Sequence, residues 1–197
     1  MAAVEQPVGT RERILYASAE LFRRQGYAGT GLKQVATQAD APFGSLYHHW
    51  PGGKQALAEE VLRTGGAFFL ALYRQIVDDA PDLVTGVESF FAGAAETLRL
   101  TDFADACPIA TVAGEVASTD DVLRRATEDV FTSWLDALAE DLAGIGVAEG
   151  DARSLALSTL ALLEGAFLLS RSMRSLEPME AAGRSAVALV SEAVLDG

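Results

Sequence analysis

The chain carries one cysteine in 197 residues, Cys107, and that scarcity excludes both an intramolecular disulfide framework and any multi-thiolate zinc site. The only two histidines, His48 and His49, stand side by side with no local carboxylate pair, a poor set of metal ligands. Long apolar runs are also missing. Uncharged apolar tracts such as 64–73 and 154–163 fall well short of the ~18 residues of a membrane span. The opening MAAVEQPVGTRER has no apolar segment of the kind a secretory signal needs. No membrane partner and a cytoplasmic location are therefore expected. Six prolines and 18 glycines follow no collagen-like period, and half the residues are hydrophobic, too many for a disordered chain. The length suits one or two compact units.

Basic charge is scarce overall, since the net charge is −13, but its distribution is uneven. Residues 1–63 hold seven Lys+Arg and six Asp+Glu, whereas residues 64–197 hold eight basic and 22 acidic side chains. Both lysines of the protein, Lys33 and Lys54, fall in the first part. A near-neutral head on an acidic body is a reason to look for a nucleic-acid contact in the head, although a chance split gives the same count.

Apolar residues recur with helical spacing nearly everywhere, and no alternating strand run competes. Ile14, Ser18, Leu21 and Phe22 make one stripe, opened by Thr10 as an N-cap and stopped by Gly26. A short helix follows Thr30, with Leu32, Val35, Ala36 and Ala39 on one face. Pro42 opens a third, on which Leu46 and Trp50 lie one turn apart. After Pro51-Gly52-Gly53 come a long helix over about 54–78 and further helices over 83–101, 107–117, 121–143, 151–174 and 178–195. The fold class is all-α, about nine helices: a three-helix helix-turn-helix head, 1–53, on a larger helical body, 54–197.

Two short helices joined by a tight turn and braced by a preceding helix form the helix-turn-helix pattern, whose second helix lies in the DNA major groove. Phe43, Gly44, Ser45 and His48 are the outward candidates near the start of that second helix. Gly44 and Ser45 let the backbone approach base edges, and His48 reaches a base or a phosphate. Thr30 and Lys54 are phosphate candidates at helix N-termini, and Lys33 meets a phosphate or a guanine.

The segment GYAGTGLKQVATQADAPFGSLYHHWPGGKQAL resembles the DNA-binding region of TetR-family transcriptional regulators. The shared residues are Gly26-Tyr27, Thr30, Val35-Ala36, Ala39, Gly44-Ser45-Leu46-Tyr47, the aromatic Trp50, and Lys54 before Ala56-Leu57. His48-His49-Trp50-Pro51-Gly52-Gly53-Lys54, Ala106-Cys107-Pro108-Ile109 and Glu164-Gly165-Ala166 resemble the branch of lincomycin-resistance and flavonoid-responsive repressors. The resemblance implies phosphate contacts at Thr30, Tyr47 and Lys54, and base contacts at or near Lys33, Phe43, Gly44 and Ser45. Three residues depart from the pattern. Asp40 replaces a turn glycine but tolerates left-handed geometry. Phe43 replaces a polar residue, and its ring either packs on a thymine methyl or folds onto Leu46. Trp50 replaces a smaller Phe and belongs in the core. The ring of Tyr47 is a core candidate, with its hydroxyl on a phosphate.

In the body, aromatic residues recur across several helices: Phe68, Phe69, Tyr73, Phe90, Phe91, Phe103, Phe131 and Trp134. They fill a core or, as the resemblance implies, line an apolar effector cavity. Phe69, Tyr73, Phe91, Cys107, Glu115, Phe131 and Trp134 are the cavity candidates. Glu115 is either a polar anchor there or a solvated carboxylate. Cys107 is either a redox sensor or a small buried hydrophobe. The eighth helix is apolar almost all round and must be buried on both sides. The resemblance implies that it pairs with the last helix in a four-helix bundle across a two-fold axis. Leu160, Leu163, Glu164, Phe167, Val187 and Val190 are the expected interface residues, with Glu164 needing a partner across the interface, in the pocket or at an edge.

The leading expectation is a homodimeric, ligand-responsive regulator that binds a palindromic double-stranded DNA operator, a repressor by resemblance, released by a small, largely apolar effector. It needs no cofactor and no metal. An enzyme is not expected, because no nucleophile–base constellation, phosphate-cradling loop or metal cluster is present. The alternatives are a helical ligand-binding or adaptor protein that does not bind DNA, and a regulator switched through Cys107.

Overall fold

The computed structural model describes residues 9–196; residues 1–8, on which much of the reading of the N-terminus rests, lie outside it. Among the described residues the regular structure is helical: α1 (Thr10–Gln25), α2 (Leu32–Gln38), α3 (Phe43–His49), α4 (Gly53–Asp79), α5 (Leu83–Leu100), α6 (Pro108–Val116), α7 (Asp121–Gly144), α8 (Glu149–Met173) and α9 (Glu177–Asp196). Local chemistry explains most of the ends. Gly26 stops α1 at φ +79, and Asp40 adopts φ +46 in the turn between α2 and α3, a left-handed geometry that aspartate tolerates better than most residues. Asp82 caps α5 by accepting from Thr85 N at 2.8 Å, and Asp120 caps α7 by accepting from Val122 N and Leu123 N, both at 3.1 Å. One cap differs from expectation: Gly9, not Thr10, is the N-cap of α1.

Two apolar cores hold the helices together. The first joins Ile14, Leu21 and Phe22 of α1, Val35 of α2, Leu46 and Trp50 around α3, and Leu57 and Leu62 of α4 to Ile109 and Val112 of α6 and Leu123 of α7. Burying each of the larger side chains contributes roughly 1.5–3 kcal/mol. This core runs across the division expected at residue 53: α4 starts at Gly53 but continues for 27 residues from head into body, and α6 packs on the head directly. Trp50 is 3% exposed, and its indole Nε1 donates to Glu60 Oε2 at 2.7 Å.

The second core gathers Leu83, Val87, Phe91 and Leu98 of α5, Leu138 and Leu142 of α7, Ala156, Leu163 and Ala166 of α8, and Met179, Ala186 and Val190 of α9. Where α4 crosses α7, a Cβ on Gly66 would lie 2.5 Å from Val130, and Trp134 Nε1 donates to the Gly66 carbonyl at 2.9 Å. Glycine is required there by proximity of the helices. Among the described helices α8 has the length and apolarity of a membrane span, with a mean hydropathy of 1.4, yet it packs on α7 and α9 and carries Glu164 within the fold.

Candidate nucleic-acid interface and internal cavity

The two short helices of the head are fixed from behind. Arg13 of α1 donates through its Nε to the Ala39 carbonyl at 2.9 Å and through Nη2 to the Asp40 carbonyl at 3.0 Å, clamping the turn between α2 and α3. Leu46 is buried against α1, which turns the opposite side of α3 outward. Phe43, Gly44, Tyr47 and His48 are exposed there, Ser45 is half-buried, and Lys33 is exposed on α2. Asp40 is the one acidic residue between positions 29 and 54, so little negative charge opposes a phosphate backbone.

Phe43 is exposed, and its ring packs edge-on against Tyr47, with centroids 5.7 Å apart. The Tyr47 ring is therefore part of the outer surface, half exposed, and not of the core. A Cβ added to Gly44 would meet nothing within 4 Å, so no atom of this chain requires glycine there. The phosphate role expected for the Thr30 side chain is corrected. Thr30 is 2% exposed, and its hydroxyl donates to the Gly26 carbonyl at 2.7 Å, because the residue closes the turn after α1. Lys54 is half-buried with its Nζ 4.3 Å above the Tyr27 ring; burial lowers its pKa and the Glu115 carboxylate pulls it back up.

The body encloses a cavity of about 390 Å³, walled by α4, α5, α7 and α8 and closed by the α5–α6 loop. Phe69, Tyr73, Phe91, Cys107 and Trp134 line it, as anticipated, with Phe90 beside them. Two expected residues do not. Phe131, edge-on to Trp134 at 5.7 Å, packs against the first core instead. Glu115 lies at the far end of α6, where Oε2 accepts from the backbone N–H of Ala28 at 2.7 Å; it is neither a pocket anchor nor a free carboxylate.

The Tyr73 hydroxyl donates to Asp141 Oδ2 at 2.7 Å, and burial with that partner raises its pKa far above the usual phenol range. Cys107 caps α6, its Sγ accepting from Ala110 N at 3.4 Å. Burial first, and the Glu164 carboxyl second, push the thiol well above its ordinary pKa, which argues against a reactive thiolate.

The residues expected at an interface on α8 and α9 turn mostly inward within the chain. Leu160, Leu163, Glu164 and Phe167 line the cavity, Val190 is fully buried in the second core, and Val187 packs against that core. A helix apolar on every side gives no sequence cue to which stripe faces outward. Packing leaves Leu157, Ala161, Leu168 and Leu169 of α8 exposed, with Ala181, Ser185 and Ala188 of α9. Gly165 lies along the same α8 stripe, and a Cβ there would meet nothing within 4 Å.

Sequence reasoning missed Arg23 and Asp105 as cavity residues. Arg23 Nε of α1 and Asp105 Oδ2 of the α5–α6 loop lie 3.0 Å apart in an ion pair on the cavity wall, so a head side chain is part of the cavity itself. The loop that delivers Asp105 and Cys107 holds Asp102 and Phe103 in left-handed conformations, at φ +50 and +60. Arg171 donates to the Phe103 and Ala104 carbonyls, both at 3.3 Å, and secures it from α8. No local sequence signal announces pairs so distant along the chain.

Comparison with known proteins bears on both halves. Residues 14–61 match the model of bacterial regulatory proteins of the tetR family, and residues 84–185 match that of the transcriptional regulator LmrA/YxaF-like, C-terminal domain. The chain is 34% identical over 170 residues to YxaF of Bacillus subtilis (strain 168), an uncharacterized HTH-type transcriptional regulator, covering 86% of this chain and 89% of that one. It is 31% identical to the HTH-type transcriptional regulator LmrA of the same organism, over 86% and 90% of the two chains. The crystal structure of a TetR transcriptional regulator from Legionella pneumophila is similar in fold, with a TM-score of 0.82 at 22% identity over 91% of this chain and 96% of that one.

Proposed function

We propose that this chain, which belongs to the TetR family and carries an LmrA/YxaF-like C-terminal domain, is a homodimeric repressor that releases its operator when a small, largely apolar effector fills the cavity. As a member of that family it is a DNA-binding helix-turn-helix transcriptional regulator and not an enzyme. The observation that carries the effector reading is the position of Arg23. This side chain belongs to α1, the helix that braces α2 and α3, yet it stands in the wall of the largely apolar cavity of the body. A ligand that displaces the Arg23–Asp105 pair acts on the head at once, and an effector that prefers the displaced arrangement shifts the population away from the DNA-competent one.

Two heads are needed to read a palindrome. The exposed stripe of Leu157, Ala161, Gly165 and Leu168 supports a second copy seated on α8 and α9, because small residues permit close helix approach and leucines gain by burial. A cytoplasmic location follows from a chromosomal target.

The test is a gel-shift and anisotropy series on the DNA flanking the coding region, with random-site selection where that DNA gives no shift. Binding that falls steeply with salt, and that weakens in Lys33→Ala and Ser45→Ala, is the expected result. A folded dimer that selects no DNA sequence overturns it in favour of the adaptor reading.

A further inference from the structure

The cavity is lined mostly by apolar side chains. Three charged side chains line it, Arg23, Asp105 and Glu164, and the first two are paired with each other at 3.0 Å; Asp105 also lies 3.6 Å from Arg24. Among the described residues no cation pairs with Glu164. Both of its carboxyl oxygens are buried without a nitrogen or oxygen donor, the weakly donating Cys107 thiol being their one polar neighbour, and the buried hydroxyl oxygen of Thr159, which lines the same wall from α8, has no partner.

The remaining titratable groups on the wall are committed elsewhere or neutral. The Tyr73 hydroxyl is bonded to Asp141, and the Cys107 thiol, whose pKa is raised, is an uncharged neighbour of the carboxyl. Burial pushes the Glu164 carboxyl up to about 7. A buried acid left without partners costs free energy, and an ionised one costs more unless a positive charge accompanies it. The rings of Phe69, Phe90, Phe91 and Trp134 line the same cavity, and aromatic π faces tolerate cations as well as apolar surface.

We propose that the effector is an amphiphilic amine: an apolar, ring-bearing body among these aromatic side chains, with a protonated nitrogen donating a charge-assisted hydrogen bond to Glu164. The proposal rests on the cavity being the effector site. On binding, the Glu164 proton leaves to solvent and the ammonium takes over as the carboxylate's partner. The Arg23–Asp105 pair is self-neutralised, so one cation balances the site.

Three probes share one body: 4-phenylbenzylamine, 4-phenylbenzyl alcohol and 4-phenylbenzoate. Calorimetric titration of the full-length protein near pH 6, in buffers of different ionisation enthalpy, reads both affinity and proton release. The amine binds about tenfold or more tightly than the alcohol and releases close to one proton per site, and the carboxylate binds weakest. In Glu164→Gln the amine-to-alcohol preference falls to within about threefold. Proton release by the wild type decides the matter independently should that variant fold poorly.

If alcohol and amine bind alike without proton release, or the carboxylate binds best, the amine assignment is overturned and the cavity reading stands. If none of the three binds up to about 1 mM, the cavity reading falls and the assignment falls with it.

Discussion

Glu115, at the penultimate position of α6, accepts a 2.7 Å hydrogen bond from the backbone N–H of Ala28 in the turn between α1 and α2. At the other end of the same nine-residue helix, Cys107 caps α6 and lines the cavity. One short element therefore meets the cavity through its N-cap residue and the head through its last turn. Gly26 lies under the same carboxylate, where a Cβ would overlap it, and its φ of +79 is costly for any L side chain.

Removing this contact loosens the head locally. Glu115→Ala costs about 1 kcal/mol, since the bond is solvent-exposed, and speeds exchange of the Ala28 amide about fivefold. Gly26→Ala costs more, about 2 kcal/mol, from backbone strain and the collision with Glu115. The double variant is less unstable than the sum, because truncating Glu115 removes the collision. Chemical denaturation of the four proteins measures the coupling, and strict additivity would show that the two residues do not meet.

Gly44 separates stability from DNA affinity. Gly44→Ala leaves folding unchanged or improves it by roughly 0.5 kcal/mol, since a helical alanine replaces glycine and the Cβ meets nothing. Operator affinity falls by about tenfold if α3 approaches base edges closely at this position. Thermal melts and anisotropy titrations on the same preparation test the pair of outcomes; unchanged DNA binding would move the recognition surface away from Gly44.

The outward stripe of α8 predicts opposite failures for two apolar residues on neighbouring helices. Leu168, 67% exposed, becomes a glutamate without unfolding the monomer, and Leu168→Glu abolishes the dimer by burying charge in the interface. Val190 is fully buried within the chain, so Val190→Asp unfolds it, with a loss of several kcal/mol. Sedimentation velocity with circular dichroism distinguishes a folded monomer from an unfolded chain. A Leu168→Glu protein that remains dimeric would place the interface elsewhere.

Glu164 makes stability fall with rising pH in one window. Its pKa is raised from the ordinary 4.5 to about 7 in the folded protein, so the folded state holds a proton that the unfolded state has lost. Between about pH 4.5 and 7 the group's contribution declines by roughly 3 kcal/mol, and above 7 the decline levels off. Glu164→Gln cannot ionise. Its stability relative to wild type therefore rises from pH 4.5 to 7, read as a widening gap in denaturation midpoints. A constant gap would place the carboxyl in contact with water.

The helices were legible because their signals are local. Apolar residues three and four apart mark each segment, and Gly26, Asp82 and Asp120 end or begin helices through atoms within a few residues. The outward face of α3 was legible for the same reason: burying Leu46 turns Gly44 and His48 outward by helical geometry alone. Phe69, Tyr73, Phe91 and Trp134 could be named as cavity candidates from aromatic content, but which rings face the void depends on how the helices cross. Phe131 misses it by less than one turn from Trp134.

Local spacing and turn chemistry thus suffice for the order, lengths and ends of the helices and for the outward face of α3. Tertiary packing decides the rest. It selects which stripe of the uniformly apolar α8 faces outward, turning Glu164 to the cavity and Leu168 to solvent. It also brings Glu115 to Ala28 and Arg23 to Asp105, contacts between residues far apart in the chain. Helix periodicity carries no information about partners at such distances; complementary shape and charge across the folded core create those contacts, and through them the path from cavity to head.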